Sequence, residues 1–209
     1  VAFVGSLLTL GLLLLLGRRH QFAPSTVILT GIALAALIET LVQFSLIKGS
    51  DDTYAILRWL SGSTYRVDPM EALTLMVGVS LLFSLIVLSS RWITLISVGR
   101  GLALARGLNV NRSFVLLLMA SALLCALVTA LMGPIAFVGL IAPHMASLMG
   151  ARTARQQLLL ASLLGGVLMV SSDWLGQQVI YPGQLAAGTV VALIGGTYFV
   201  LLLLRVRVR

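Results

Sequence analysis

Charge is scarce in this chain. Of its 209 residues only 10% are charged; six are acidic, two are histidine and one is cysteine, while 59% are hydrophobic. Soluble domains carry about 25% charged residues. A domain of this size exposes a large share of its surface, so no water-facing shell can be assembled from so few charges. A soluble globular protein is excluded, and lipid is left as the solvent. The single cysteine, Cys125, lies inside an apolar run with no disulfide partner and no neighbours at metal-ligand spacing. It reads as a small helix residue. There is no Ser-His-Asp set, no glycine-rich phosphate loop and no Walker motif. The chain is therefore not expected to be an enzyme or to carry a cofactor, and any ATP-driven step belongs to a separate subunit.

The formal net charge is +8. In a soluble protein that balance would suit nucleic acid. Here the basic residues form short clusters between apolar runs, without the interleaved aromatics of a nucleic-acid groove, so no nucleic-acid partner is expected. Clusters of this kind mark cytoplasmic loops of membrane proteins.

A spanning helix needs about 20 mostly apolar residues. Seven stretches qualify: residues 1–16, 25–47, 71–90, 113–132, 135–149, 155–179 and 187–204. The first is followed by Gly17, Arg18, Arg19 and His20. A secretory leader carries its basic residues before the apolar core, so this run is expected to be a spanning helix whose preceding sequence is missing. The fifth stretch is short and is expected to be broken by Gly139 and Pro143. Membranes tolerate such a break only where protein or water covers the freed backbone groups, so it belongs inside a bundle. Small residues such as Gly31, Ala35, Gly165, Gly166, Gly195 and Gly196 predict close helix packing. The expected fold is all-α: one polytopic transmembrane domain over residues 1–209, truncated at its N-terminus.

Eleven of the fourteen basic residues follow the odd-numbered spans: Arg18, Arg19, Arg91, Arg100, Arg106, Arg112, Arg152, Arg155, Arg205, Arg207 and Arg209. The remaining connections are mixed or uncharged. Residues 48–71 combine Lys48, Arg58 and Arg66 with Asp51, Asp52, Asp68 and Glu71. The positive-inside rule puts the arginine-rich side in the cytoplasm, so the C-terminus is expected inside a plasma membrane. In the outer segment, Tyr54, Trp59 and Tyr65 suit the lipid boundary. Asp68-Pro69 followed by Glu71 reads as a helix start.

Few polar groups lie at membrane depth. Glu39, near the middle of the second span, is either a pathway residue or a hydrogen-bonded contact between helices. Asp173, in the outer part of the sixth span, is expected to pair or to cap an irregular outer loop. His144 has no second histidine or carboxylate at metal-ligand spacing, so no metal site is expected. The segment 91–112 holds a stretch of Leu, Ala and Arg between Gly99 and Gly107. That predicts a short helix with sharp turns. By spacing alone it suits a partner protein and an anionic headgroup layer equally.

Residues 133–144, GPIAFVGLIAPH, resemble the signature of bacterial permeases for iron siderophores, haem and cobalamin; Gly133, Pro134, Phe137, Gly139, Pro143 and His144 carry the likeness. LTGIAL at 29–34, RWLSGSTYRVD at 58–68, ASLLGGVLMVSSDWLG at 161–176 and GTVVALIGGTYFVLLL at 188–203 agree in order and spacing. The outer loop is most similar to that of ferric hydroxamate, ferrichrome-type, permeases. The resemblance implies the permease subunit of an ATP-binding-cassette importer in the bacterial inner membrane. It implies a ten-helix unit, of which this chain covers helices four to ten. The implied partners are two cytoplasmic ATPase subunits, a second permease unit (a homodimer mate or a fused pseudo-dimer half), an extracytoplasmic substrate-binding protein and membrane lipid. By position, Gly99, Arg100, Gly101, Leu102, Ala103, Leu104, Ala105, Arg106 and Gly107 form the helix that couples to the ATPase. Relatives carry acidic residues after the first of these glycines, where this chain has Arg100 and Gly101. Pro24, Ser25 and Thr26 correspond to a gate. Gln177 stands where many relatives have an arginine that meets the binding protein, which turns attention to Arg58 and Arg66 for that docking. The alternatives are an ion-coupled secondary transporter, which would need an ionisable relay at membrane depth, and a haem or cobalamin permease.

Overall fold

The computed structural model describes residues 2–19, 24–47, 53–64, 67–180 and 183–206. Arg66 and Tyr65 lie outside the described residues, as do Lys48, Asp51 and Asp52. The described residues form ten α-helices and no strand. They are α1 (Ala2–Arg19), α2 (Pro24–Ile47), α3 (Thr53–Leu60), α4 (Pro69–Leu88), α5 (Ser90–Val98), α6 (Arg100–Ala105), α7 (Val110–Met132), α8 (Val138–Leu148), α9 (Ala154–Val179) and α10 (Ala187–Val206). Helices are the form in which an apolar segment satisfies its own backbone in lipid. Hydroxyl groups follow the same logic: Thr9, Thr40, Thr74 and Thr197 each donate to the carbonyl four residues earlier, at 2.8–2.9 Å. Among the described residues, α2, α4, α7, α9 and α10 are long and apolar enough to cross a membrane, while α1 and α8 carry shorter apolar stretches.

The helix starts follow from local chemistry. At α4 the Asp68 backbone N–H donates to Glu71 Oε2 at 3.4 Å, and Ala72 N–H donates to the Asp68 carbonyl at 2.8 Å. The Asp-Pro-x-Glu start is therefore as expected. At α9, Thr153 and Gln156 form a reciprocal capping box: Gln156 N–H donates to Thr153 Oγ1 at 3.2 Å, and Thr153 N–H to Gln156 Oε1 at 3.3 Å. At α7, Asn109 Oδ1 accepts from the Arg112 N–H at 3.2 Å.

The chain divides into two compact units. The first comprises Val1–Leu57 and Leu75–Ala130, the second Arg58–Thr74 and Leu131–Arg209. In the first, α1 meets α2 where Gly31 faces Leu13; a Cβ there would stand 3.8 Å from Leu13 Cδ1. Also in the first unit, Gly78 of α4 faces Leu127 of α7 at 3.5 Å. In the second, α8, α9 and α10 pack together. Gly165 of α9 receives Val138 and Ala142 of α8, at 3.4 and 3.6 Å from a built Cβ. Most of the buried residues are small, among them Ala142, Ala146, Ala187 and Ser172, as close packing between membrane helices requires.

The segment 135–149 differs from expectation. Helix α8 begins only at Val138 and runs unbroken through Gly139 and Pro143. The interruption lies earlier, because Gly133 (φ 81°) and Phe137 (φ 67°) take left-handed backbone that no helix accommodates. Gly139 falls in the first turn, where its amide needs no helical partner. Pro143 withholds a donor from the carbonyl of Gly139, an exposed residue, and its own carbonyl ties α8 to α9 by accepting from Gln157 Nε2, as well as from Ser147 Oγ, both at 3.0 Å. A second difference is that the arginine-rich segment after α4 contains a further helix, α5, beginning at Ser90 next to the expected end of the third span.

Candidate functional site

The signature residues build a packing knot in the second unit. Three glycines let backbone approach backbone. At Gly62 (φ 67°) a Cβ would stand 2.5 Å from the Pro134 carbonyl oxygen. At Gly133 a Cβ would collide with the Trp59 carbonyl oxygen. At Gly188, on α10, it would stand 2.7 Å from the Ser61 carbonyl oxygen. Hydrogen bonds close the knot: Ser63 N–H to the Met132 carbonyl at 2.8 Å, and Gly188 N–H to the Gly62 carbonyl at 3.0 Å. The loop after α3 is thus fixed to the end of α7 and the start of α10.

Side chains extend this fixation. Thr64 Oγ1 donates to Asp173 Oδ1 at 2.6 Å, and Gln177 Nε2 donates to Asp173 Oδ2 at 3.0 Å. Asp173 therefore ties down the irregular loop, one of the two roles expected from its position in α9. Gln177 serves that carboxylate. Arg58 ends α3 at the edge of the knot with an exposed side chain, and its carbonyl accepts from Ser61 Oγ at 2.7 Å.

Phe137 explains the middle of the signature. Its left-handed backbone costs about 1–3 kcal/mol, and its surroundings hold it there. The ring lies 6.1 Å from that of Phe199, and Gly195 leaves the space: a Cβ on Gly195 would stand 2.5 Å from Phe137 Cβ. His144 sits edge-on to Tyr198, with ring centroids 5.9 Å apart, beside Leu148, Leu201 and Leu202. Five of the six signature residues, all but the exposed Gly139, are thus engaged in backbone and ring packing. Among the described residues no group of three or more His, Cys, Asp or Glu comes together as a metal site.

The first unit carries the other candidate residues. Pro24, Ser25 and Thr26 form the opening turn of α2, and Glu39 lies further along it with an exposed side chain. The glycine-bounded helix is present as α6. Gly99 (φ 136°) separates it from α5, and Gly107 (φ 76°) ends it. Within it only Ala103 is buried, at 0% exposure. Its carbonyl accepts from the Leu108 N–H at 3.0 Å, which closes the turn under the helix. Leu102 and Leu104 are 46% and 57% exposed. Arg100 Nη2 donates to Asn111 Oδ1 at 2.7 Å. The family resemblance places Ala103 and Gly107 in the coupling helix. The geometry makes these the anchor and the turn, and offers the two leucines, Gly101, Ala105 and Arg106 to the outside.

Comparison with known proteins agrees with this architecture. The chain is 33% identical over 200 residues to the iron(3+)-hydroxamate import system permease protein FhuB of Escherichia coli; the match covers 96% of this chain and 30% of that protein. It is 31% identical over 205 residues to the vitamin B12 import system permease protein BtuC of Vibrio cholerae, covering 98% of this chain and 62% of the relative. The chain thus spans less than two thirds of either relative. A solved structure described as an inward-facing conformation of a metal-chelate type ABC transporter superposes with a TM-score of 0.85 at 24% identity, covering 98% of this chain and 72% of that one. The profile of the FecCD transport family matches residues 1–205, and the chain belongs to that family.

Proposed function

We propose that the chain is the permease part of an ATP-binding-cassette importer that moves a ferric hydroxamate chelate across the bacterial inner membrane into the cytoplasm. The observation that carries this reading is the match along nearly the whole chain to a family whose members include an iron(3+)-hydroxamate permease. The exposed, glycine-hinged α6 supports it as the point of contact with a separate ATPase. The arginine-rich connections face the cytoplasm in this reading, with the C-terminus inside. Helices α1, α2, α4, α7, α8, α9 and α10 are the seven spans, equivalent to helices four to ten of a ten-helix unit. The Gly62–Gly133–Gly188 knot and the Asp173 cluster then face outwards, where Arg58 and Arg66 meet a substrate-binding protein. A second permease unit, either another copy or another half of the same polypeptide, completes the pathway between the opening turns of α2.

In the transport step, ATP binding closes the ATPase subunits. Helix α6, which Ala103 seats against its own unit, passes that motion into the membrane helices as a rigid lever. The chelate needs no catalytic group from this chain, because the step is a change of access and not of bonding.

The full-length permease, reconstituted with its ATPase and binding protein, tests the reading. Uptake should require ATP inside the vesicle in the permease's cytoplasmic orientation, and should persist with an uncoupler. Uptake that the uncoupler abolishes, without need of the ATPase, would instead identify an ion-coupled carrier. The similarity to a vitamin B12 permease makes cobalamin the second substrate to try.

A further inference from the structure

The charge on α6 specifies its partner. Successive helix residues are about 100° apart around the axis. With Ala103 turned inward, Leu102 and Leu104 flank the helix on its two sides, and Gly101 and Ala105 form its outer ridge. All four are exposed. A flat membrane surface covers one face of a helix and selects a single apolar stripe. Here two leucines point to opposite sides of a ridge of small residues. That shape is complementary to a groove that encloses three sides, so the geometry favours a protein seat over a headgroup layer.

The electrostatics then fix the rim of the groove. Between Glu71 and Asp173 the sequence contains no aspartate or glutamate, but it contains Arg91, Arg100, Arg106, Arg112, Arg152 and Arg155. The six acidic residues are Glu39, Asp51, Asp52, Asp68, Glu71 and Asp173, and none falls in the segment that carries α6. No carboxylate within that segment neutralises its arginines. Arg100 bonds to the neutral amide of Asn111, and Arg106 projects exposed at the end of the helix. The uncompensated positive field attracts an acidic surface and repels a basic one.

We propose that α6 seats in a groove of the ATPase subunit whose floor is apolar, against Leu102 and Leu104, and whose rim is acidic, against Arg106 with Arg100 behind it. This rests on the reading of α6 as the ATPase contact. The test is the affinity of the detergent-solubilised full-length permease for its ATPase, measured against salt. Arg106→Glu should weaken the complex by about three- to tenfold at low salt, and Arg106→Lys should restore it. Raising the salt should weaken the wild-type complex and bring it towards the Arg106→Glu variant. Equal affinity for wild type and Arg106→Glu, or a loss that Arg106→Lys shares, overturns the acidic rim. Ala103→Trp tests the underlying reading separately: it should abolish the complex whatever the charge at 106. If neither Ala103→Trp nor Arg106→Glu changes ATPase binding, and Arg106→Glu instead releases the loop from phosphatidylglycerol vesicles, the segment is a membrane-surface element and both statements fall.

Discussion

Thr64 Oγ1 lies 2.6 Å from Asp173 Oδ1, and this one hydrogen bond ties the loop after α3 to a helix 109 residues further along the chain. A side-chain hydrogen bond contributes about 0.5–1.5 kcal/mol net, and leaving a buried partner unsatisfied costs about 1–3 kcal/mol. Asp173→Ala should therefore lower the thermal stability of the full-length permease, and Thr64→Val should add little on top of it. Asp173→Asn, which retains an acceptor for the Thr64 hydroxyl, should recover most of the loss. Additive losses in the double variant, read by thermal unfolding in detergent, would show that the two residues act separately.

The glycines divide into those that must lack a side chain and those that need not. Gly133→Ala adds a Cβ where the Trp59 carbonyl already stands, at a left-handed φ of 81°, and should destabilise by at least 2–3 kcal/mol. Gly195→Ala drives a methyl group into Phe137 and should behave similarly. Gly196→Ala meets nothing within 4 Å and should be neutral, or stabilising by a few tenths of a kcal/mol, given the helix preference for alanine. Expression level and melting temperature of the three variants decide the ranking.

Seat and contact surface separate on α6. Leu102→Ser combined with Leu104→Ser removes only exposed apolar surface, so the melting temperature should hardly move while ATPase recovery in a pull-down falls. Ala103→Leu forces three carbon atoms into a fully buried position and should lower both. A pull-down unaffected by the leucine pair would remove the apolar contact from the account.

Gln157 joins α9 to α8 through Pro143 and Ser147, at 3.0 and 2.8 Å. Gln157→Leu leaves the Pro143 carbonyl with Ser147 as its one remaining side-chain donor among the described residues and should cost roughly 1 kcal/mol. Ser147→Ala should cost less, because Gln157 still reaches that carbonyl.

Glu39 is exposed on α2, and we propose that transport makes no use of its carboxylate. Glu39→Gln should leave chelate uptake nearly intact. Complete loss would make this carboxylate a pathway or coupling group.

Much of the fold was legible because lipid simplifies the code. Seven apolar stretches and the arginine clusters between them are strong signals, and the seven corresponding helices begin and end within a few residues of expectation. Asp68-Pro69-x-Glu71 and the two glycines around α6 were readable as start and stop chemistry. The misplaced break in α8 has a physical cause. Proline and glycine are the usual helix breakers, but Gly139 stands in the first turn of α8 and Pro143 deprives only the carbonyl of that exposed residue of its helical donor. The real interruption comes from a phenylalanine in left-handed backbone, held there by the space that Gly195 leaves, and no local sequence rule marks such a residue. The glycine knot was equally hidden, since Gly62, Gly133 and Gly188 are far apart in sequence and only their joint close approach gives them meaning. The seating of α6 was hidden for a similar reason: helical spacing shows that a helix has an inner side, and only burial shows that Ala103 occupies it.

In the function proposed here, this chain passes a ferric hydroxamate through an ATP-driven permease. Growth on single iron sources, in a strain lacking the gene that encodes this chain, tests it most directly. The account predicts failure to grow on ferric hydroxamates, normal growth on other iron sources, and rescue by the wild-type gene but not by its Ala103→Trp form. Normal growth on ferric hydroxamates would contradict the substrate assignment, and rescue by Ala103→Trp would contradict the coupling route.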